Sequence, residues 1–391
     1  MTSMMNRRSF LRTLMTGVAA APFAAHGWRA DAADGEGSIL FVGTQTIATS
    51  KGIYAYRWNS DAGQLTALGL AAWADNPTFL ALSPDNKYLY ACNEISTFGG
   101  AKSGGVSAFS VSGEPGKLTF INAVPAMGTG TTNVTIDHTG RAVFCANYDS
   151  GSAASFRVEA SGGLSQAVSH FQYQGHGPNH DRQEAPHAHR VTVSPDNRFM
   201  LVNDLGLDCI HIYKLDAATA VLTPNTSAEW KSEPGAGPRA LRFHPNGRWA
   251  YCIEEMACAV AVLRWDEKAG SLTTVQRVSI RTEGFSGATT TGSEIVITRN
   301  GDFAYAADRG DDTLTSFRVD PATGKLTFLS RTSCGGKTPR HIALDPTEKW
   351  LLVANQVSDD IAVIRRDTGT GLLADKATNV GISKPQCLLF L

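Results

Sequence analysis

The chain predicts an all-β fold: a seven-bladed β-propeller of four-stranded blades, with its ring closed where the C-terminal strand pairs with the N-terminal strands. Three observations carry this. A unit of about 50 residues recurs six times, each unit holds four strand-like segments, and the two termini hold complementary parts of a seventh unit.

The repeat is read from its turns. SPDNKYLYACNE begins at Ser83, DHTGRAVFCANY at Asp137 and SPDNRFMLVNDL at Ser194. HPNGRWAYCIEE follows at His244, TRNGDFAYAADR at Thr298 and DPTEKWLLVANQ at Asp345. Successive starts lie 54, 57, 50, 54 and 47 residues apart. Pro, Asp, Asn and Gly make the turn, and the apolar run behind it makes a buried strand. An apolar strand precedes each turn (PTFLAL, TTNVTI, AHRVTV, PRALRF, GSEIVI, PRHIAL) and another follows (GVSAFSV, AASFRV, IHIYKL, VAVLRW, LTSFRV, IAVIRR). A second turn of the form D-x-x-T-G-x-L-T, as in VDPATGKLTFL, then leads into a fourth strand.

The ends complete the count. ILFVGTQ and GIYAYRWNSDAGQLTAL supply second, third and fourth strands without a first, and PQCLLFL supplies a first strand alone. Pairing the two closes the ring and removes an exposed strand edge.

The propeller is read as one domain over residues 34–391. Residues 1–33 form a separate segment in which Arg7 and Arg8 precede Phe10, Leu11 and a weakly apolar, Ala-rich run. This resembles a twin-arginine export signal and implies a periplasmic location. The apolar run is too short to span a membrane comfortably, so no span is expected in the mature form. A net charge of −1 gives no basic footprint for nucleic acid. The seven cysteines are odd in number and contain no C-x-x-C pair; most sit inside apolar strand text and are read as small core residues.

In a propeller the first strand of each blade is innermost, so equivalent positions form rings around the axis. Five residues before each turn lie Thr78, Thr132, His189, Arg239, Ser293 and Arg340, with Gln386 equivalent in the last strand. All are polar. Eleven residues after each turn start lie Glu94, Tyr148, Leu205, Glu255, Arg309 and Gln356, with Gln45 equivalent in the N-terminal half-blade. The position just before these holds Asn93, Asn147, Asp204, Glu254, Asp308 and Asn355, a near-uniform set that reads as strand capping. The first two rings mix His, Arg and Glu with neutral residues, as expected of an asymmetric site built from several blades.

One further stretch stands out. GPNHDRQEAPHAHR, residues 177–190, gathers three histidines, two arginines and two acids. Its last part starts an innermost strand and is expected to aim His187 and His189 at the channel. Its first part is the connecting loop, which carries Arg182.

Imidazole and carboxylate move protons near neutral pH, and arginine binds carboxylate or phosphate and stabilises a developing oxyanion. The set suits hydrolysis or proton transfer on a small anionic, oxygen-rich substrate. No G-x-S-x-G elbow and no Walker or dinucleotide loop occurs. His187 and His189 form an H-x-H pair that a metal could use with Asp181, Glu184 or Glu255; the reading assigns neither metal nor cofactor.

FVGTQT, KGIYAYRW, NPTFLALSPDNKYLYACNE, ANYDSGS, DRQEAPHAHRVTVSPDNRFMLVNDLG, GPRALRFHPNGRWAYCIEE and DPTEKWLLVANQ resemble the lactonase family of seven-bladed propellers. That family includes bacterial 6-phosphogluconolactonases and fungal carboxy-muconate lactonizing enzymes. The resemblance spans nearly all of residues 38–391, and D-R-Q-x-A-P-H-A-H is its most specific part. It implies a carboxylic ester hydrolase that opens a small anionic sugar lactone by attack of water. A muconate-type cycloisomerase and a non-catalytic propeller that binds a ligand or protein are the other readings. The resemblance places His189, with His187 as a near alternative, Arg239, Glu255 and Arg309 in the catalytic set. Arg182, His187, Arg340, Glu94 and Gln356 are assigned to substrate binding. Glu255 or His189 would take the proton from water, and Arg182 would close over the anionic end of the substrate. Two positions depart from the family pattern: Asn133 replaces a frequent histidine, and Glu254-Glu255 replaces the usual Asn-Glu pair before Met256.

Overall fold

The structure is a computed structural model that describes residues 37–111, 113–225, 228–285 and 290–391. The export-signal reading falls on residues 1–33, outside the described residues. Seven antiparallel sheets follow one another around a ring. Blade 1 joins the strand Pro385–Phe390 to Ile39–Thr44, Gly52–Asn59 and Gln64–Trp73, as the terminal half-repeats require. Blades 2 to 7 each run in chain order from the innermost strand outwards, and the innermost strands of neighbouring blades pack against one another all the way round. Six blades have four strands. Blade 4 differs, because its outer strand is split into Val221–Pro224 and Trp230–Lys231. No helix among the described residues is long and apolar enough to cross a membrane.

The turns explain the repeat. In blade 4 the Ser194 hydroxyl donates to Asp196 (2.6 Å) and accepts from the Phe199 N–H (3.0 Å). Asn197 sits at φ 60°, and Asn86, Gly140, Gly247 and Gly301 hold the same place with φ from 59° to 80°. Asn and Gly accept this left-handed backbone most readily, and they fill the position in five of the six whole repeats, with Glu348 at φ 56° in the sixth.

The apolar core is seven layers, one between each pair of adjacent blades. Each sheet is therefore buried on both faces, and its strands read as continuous apolar runs. All seven cysteines are unpaired and buried. The outer turns fasten neighbours together. The Phe199 ring of blade 4 packs on Gly270 of blade 5, where φ is 63° and a methyl group would stand 2.2 Å from the ring.

The centre of the ring is charged. Glu294 is fully buried and forms ion pairs with Arg190 and with Arg242 (3.5 Å), while His341 stands 3.6 Å away. Burial alone would raise the Glu294 pKa, but Arg190 and Arg242 overcome it and hold the carboxyl at about 2. Burial also holds His341 down to about 3, against the pull of Glu294, so its imidazole stays neutral.

Two outcomes follow. Gly270→Ala combines a left-handed backbone with overlap on Phe199 and should cost about 1–3 kcal/mol, read from the urea midpoint; an unchanged midpoint refutes this packing. Both Glu294 and His341 bind protons less readily folded than unfolded, so stability is present at neutral pH and is lost on acidification. The loss should begin as pH falls below the ordinary histidine pKa of about 6.5 and steepen from about 4.5 towards 2. Urea midpoints measured across that range check it, and a flat series from pH 7 to about 4 excludes it.

Candidate functional site

The backbone makes the rings, and it does so with a bulge. In six of the seven innermost strands the register slips by one residue at the ring position. The extra residues are Thr132, His189, Arg239, Arg340 and Gln386, and in blade 6 Ser293 and Glu294 together oppose Ala307. In blade 2 the paired strand begins at Leu80, beyond Thr78. A bulge leaves one residue unpaired and turns its side chain out of the alternation, here towards the axis. Six of the seven ring residues, all but Ser293, line one axial cavity together with Glu94.

The second ring is fixed by one backbone bond repeated blade after blade. The N–H of Glu94 donates to Asn76 O (3.0 Å), Tyr148 to Gly130 O (2.8 Å), Glu255 to Gly237 O (2.7 Å) and Gln356 to Thr338 O (3.0 Å). The main chain is thus nearly the same in each blade, and the side chains alone differentiate the site.

Glu255 is the focus of the charges. One oxygen accepts from Arg182 (2.6 Å); the other lies 2.7 Å from Arg309 Nη2 and 3.0 Å from Arg239 Nε. Burial would raise its pKa, yet Arg309 and Arg239 hold the carboxyl well below the usual range. So placed, Glu255 is a poor base and a strong counter-ion. Arg239 also donates to Ser293 O.

His189 stands on the cavity wall as a neutral imidazole. It is buried, and burial together with Arg239 and Arg340 lowers its pKa well below the ordinary value, which keeps it neutral. Its Nδ1 has no hydrogen-bond partner among the described residues, and Tyr148 meets the ring edge-on at 5.8 Å. Glu94 Oε2 and both polar atoms of Gln386 are likewise buried without partners. Arg340 makes no hydrogen bond and no ion pair within 4.0 Å among the described residues, although Glu94 and Glu255 both act on it electrostatically. The cavity that these groups share has about 20 Å³ for water-sized molecules, room for one or two.

Other expectations fare differently. Arg182 closes over Glu255, with its side chain 38% exposed at the mouth. Its loop is anchored from below by the fully buried Gln183, whose side chain donates to Leu205 O (2.9 Å). His187 does not join His189 on the cavity wall, because it precedes the bulge and the simple alternation fails there. It stacks on Tyr148 (4.4 Å, 17°), and its nitrogens meet Tyr148 O (3.0 Å) and Glu184 (3.2 Å). The H-x-H pair therefore does not converge on one point. Gln356 pairs with Gln45 (3.0 Å) across the junction of blades 7 and 1. Sequence reading missed Arg190, Glu294 and His341, the floor of the cavity. Their signal was present: each is charged or titratable inside an otherwise apolar strand, one residue past the ring position.

Comparison with known proteins matches this geometry to a family. Residues 39–390 match the family model described as lactonase, 7-bladed beta-propeller. The 6-phosphogluconolactonase of Bacillus subtilis is 35% identical over 90% of this chain and 98% of its own. A periplasmic gluconolactonase of Pseudomonas aeruginosa superposes with a TM-score of 0.85 at 33% identity, covering 90% of this chain and 99% of that one. A putative 6-phosphogluconolactonase of Bacteroides fragilis gives a TM-score of 0.84 at 33% identity, covering 92% and 98%. Blade count, ring closure and these relatives agree, and the chain belongs to the seven-bladed β-propeller lactonase family.

Proposed function

We propose that the protein is a lactone hydrolase that opens a small sugar lactone at the axial cavity. The observation that carries the reading is Arg340, a guanidinium without an ion-pair partner within 4.0 Å, beside the neutral imidazole of His189 in one cavity. Four arginines (Arg182, Arg239, Arg309 and Arg340) face two carboxylates (Glu94 and Glu255), so the region carries excess positive charge and favours an anionic, oxygen-rich ligand. The names of the relatives from Bacillus subtilis and Pseudomonas aeruginosa support the same class of substrate.

His189 takes the proton as the water oxygen attacks the lactone carbonyl carbon. Arg340 stabilises the oxyanion that develops there. The ring C–O bond then breaks, and the proton held by His189 passes to the leaving alkoxide. Glu255 organises Arg182, Arg239 and Arg309, which hold the substrate's anionic or hydroxyl-bearing end at the mouth, with Gln356 on the rim and His187 supporting Tyr148. An anion bound there offsets the cations that depress His189 and makes it a better base once substrate is present. The cavity floor is too small for a sugar, so the ring of the substrate lies in the mouth above it. The paired arginines at Arg7 and Arg8 and the relative named as periplasmic support an exported enzyme acting in the periplasm.

Purified protein should open gluconolactone or 6-phosphogluconolactone faster than buffer. His189→Gln should lower kcat by roughly 10²–10⁴-fold and Arg340→Met by roughly 10²–10³-fold. Glu255→Gln should lower kcat/KM by on the order of 10²-fold through misplaced arginines. No acceleration across a lactone panel overturns the reading, and turnover of a carboxy-muconate without lactone opening selects the cycloisomerase. Because His189 is neutral in the free protein, kcat/KM should stay level as pH falls from 7 through the ordinary histidine pKa of about 6.5. An acid limb centred at 6.5 or above would overturn the depressed pKa of His189 in the free protein.

A further inference from the structure

The strand that closes the ring also delivers a side chain to its centre. Gln386 is the residue left over where Gly43 pairs with Cys387 and Thr44 with Pro385, so the bulge turns its amide towards the axis. It is 2% exposed and lines the cavity, and neither Oε1 nor Nε2 meets a hydrogen-bond partner among the described residues. Buried side-chain amides are nearly always paired. Glu94 Oε2 and His189 Nδ1 are orphaned in the same cavity. Other groups around it are spent on the protein. Thr132 donates to His189 O (3.2 Å), and Ser293 donates to Pro339 O (2.6 Å). Arg239 pairs with Glu255, and Arg190 pairs with Glu294.

The unspent groups have an order. Arg340, Gln386 and Glu94 come from blades 7, 1 and 2, three neighbours on the ring, and His189 comes from blade 4. Their chemistry selects an occupant. The chamber has about 20 Å³, which admits one or two water-sized molecules and excludes a sugar. A cation there would face Arg340 and an anion would face Glu94, whereas a neutral, dipolar molecule suits both. Water offers two lone pairs and two protons. Gln386 Nε2 and the Arg340 guanidinium are donors for the lone pairs, and Glu94 Oε2 and His189 Nδ1 are acceptors for the protons.

We propose that Gln386 and Glu94 hold the water molecule that attacks the lactone, and that the size of their chamber reserves the reaction for water over larger nucleophiles. The water site stands on the orphaned groups alone; its use as a nucleophile rests on the lactone-opening function. The substrate, seated in the mouth, presents its carbonyl carbon to the water below. Arg340 then passes from the water to the carbonyl oxygen, which frees a lone pair for attack. The water oxygen forms the new C–O bond and gives one proton to His189, while the carbonyl π pair moves onto the oxygen beside Arg340. Collapse breaks the ring C–O bond, and the departing oxygen takes the proton from His189. The new carboxylic acid yields its proton to solvent, so one water is consumed and no other reactant is required. Gln386 holds the other lone pair and Glu94 the other O–H bond, which orients the attack. Because Gln386 lies in the strand Pro385–Phe390, this arrangement exists only in the closed ring.

Crystallography tests the site and kinetics test its use. A high-resolution crystal structure of the ligand-free protein should show an ordered water within hydrogen-bond distance of Gln386 and Glu94. A Gln386 amide bonded directly to protein groups, with no such water, overturns the site even if the protein opens lactones. Gln386→Met keeps the volume and removes both hydrogen-bonding atoms. It should lower kcat roughly 10²-fold with KM little changed, because the water is no part of substrate binding. Glu94→Leu should act alike, and Glu94→Gln, which keeps an acceptor, should recover most of the rate. In buffer containing methanol the wild type should yield the free acid alone, whereas Gln386→Ala, with its larger chamber, should also yield the methyl ester. Folded Gln386→Met with unchanged kcat, or equal ester from wild type and Gln386→Ala, overturns the role in attack; if Gln386→Met does not fold, equal rates in the two Glu94 variants do so. A wild type that opens no lactone removes the nucleophile role with the function itself, and the crystallographic result still decides the water site.

Discussion

Closure of the ring by Pro385–Phe390 on Ile39–Thr44 is the constraint on which this structure depends. Every blade is apolar on both faces and gains its burial only from neighbours on either side. Seven interblade layers therefore stand or fall together, and the layers on both sides of blade 1 include residues of the last strand, Cys387 in one and Leu388 in the other. Without that strand, the edge of Ile39–Thr44 and two apolar faces would be open to water. The terminal segments are thus structural partners despite being separated by nearly the whole sequence.

Closure also determines what the centre can be. Seven first strands converge on one axis, and a one-residue bulge in most of them turns an additional side chain inwards. Too many polar groups then meet for each to be solvated by water, so they must satisfy one another. Glu294 pairs with two arginines on the floor, and Glu255 pairs with three at the mouth. The same cavity holds His189 and Arg340, which, like Glu94 Oε2 and Gln386, are left without a strong partner. A low-dielectric chamber with fixed charges above and below is a setting in which electrostatic stabilisation of a reacting carbonyl is large. In the proposed reaction Glu255 places guanidiniums, since a carboxylate held so firmly by cations has little affinity for a proton.

Much of this was legible in the residues. The turn motif, the apolar runs and the half-repeats specify blades and their number, because local turn chemistry and strand burial leave their mark on every copy. Aligning the copies also isolates His189, Arg239, Glu255, Arg309 and Arg340 as positions where a repeated backbone carries unrepeated chemistry. His187 illustrates the limit. Strict alternation puts it beside His189, but the bulge shifts the phase and sends it under Tyr148. Arg190, Glu294 and His341 were hidden for the same reason, since alternation assigns the residue after a ring position to the apolar layer.

By itself, the sequence determined the number of blades, their strand order, the closure of the ring and the family, because these rest on short-range turns and on periodic burial repeated along the chain. The tertiary structure alone decided which charged groups meet, which oxygen faces which guanidinium, and which histidine lines the cavity. Those outcomes depend on distances between blades and on a one-residue slip in strand register. Neither is encoded by any one repeat, because the side chains concerned come from different blades and meet only when the ring is closed.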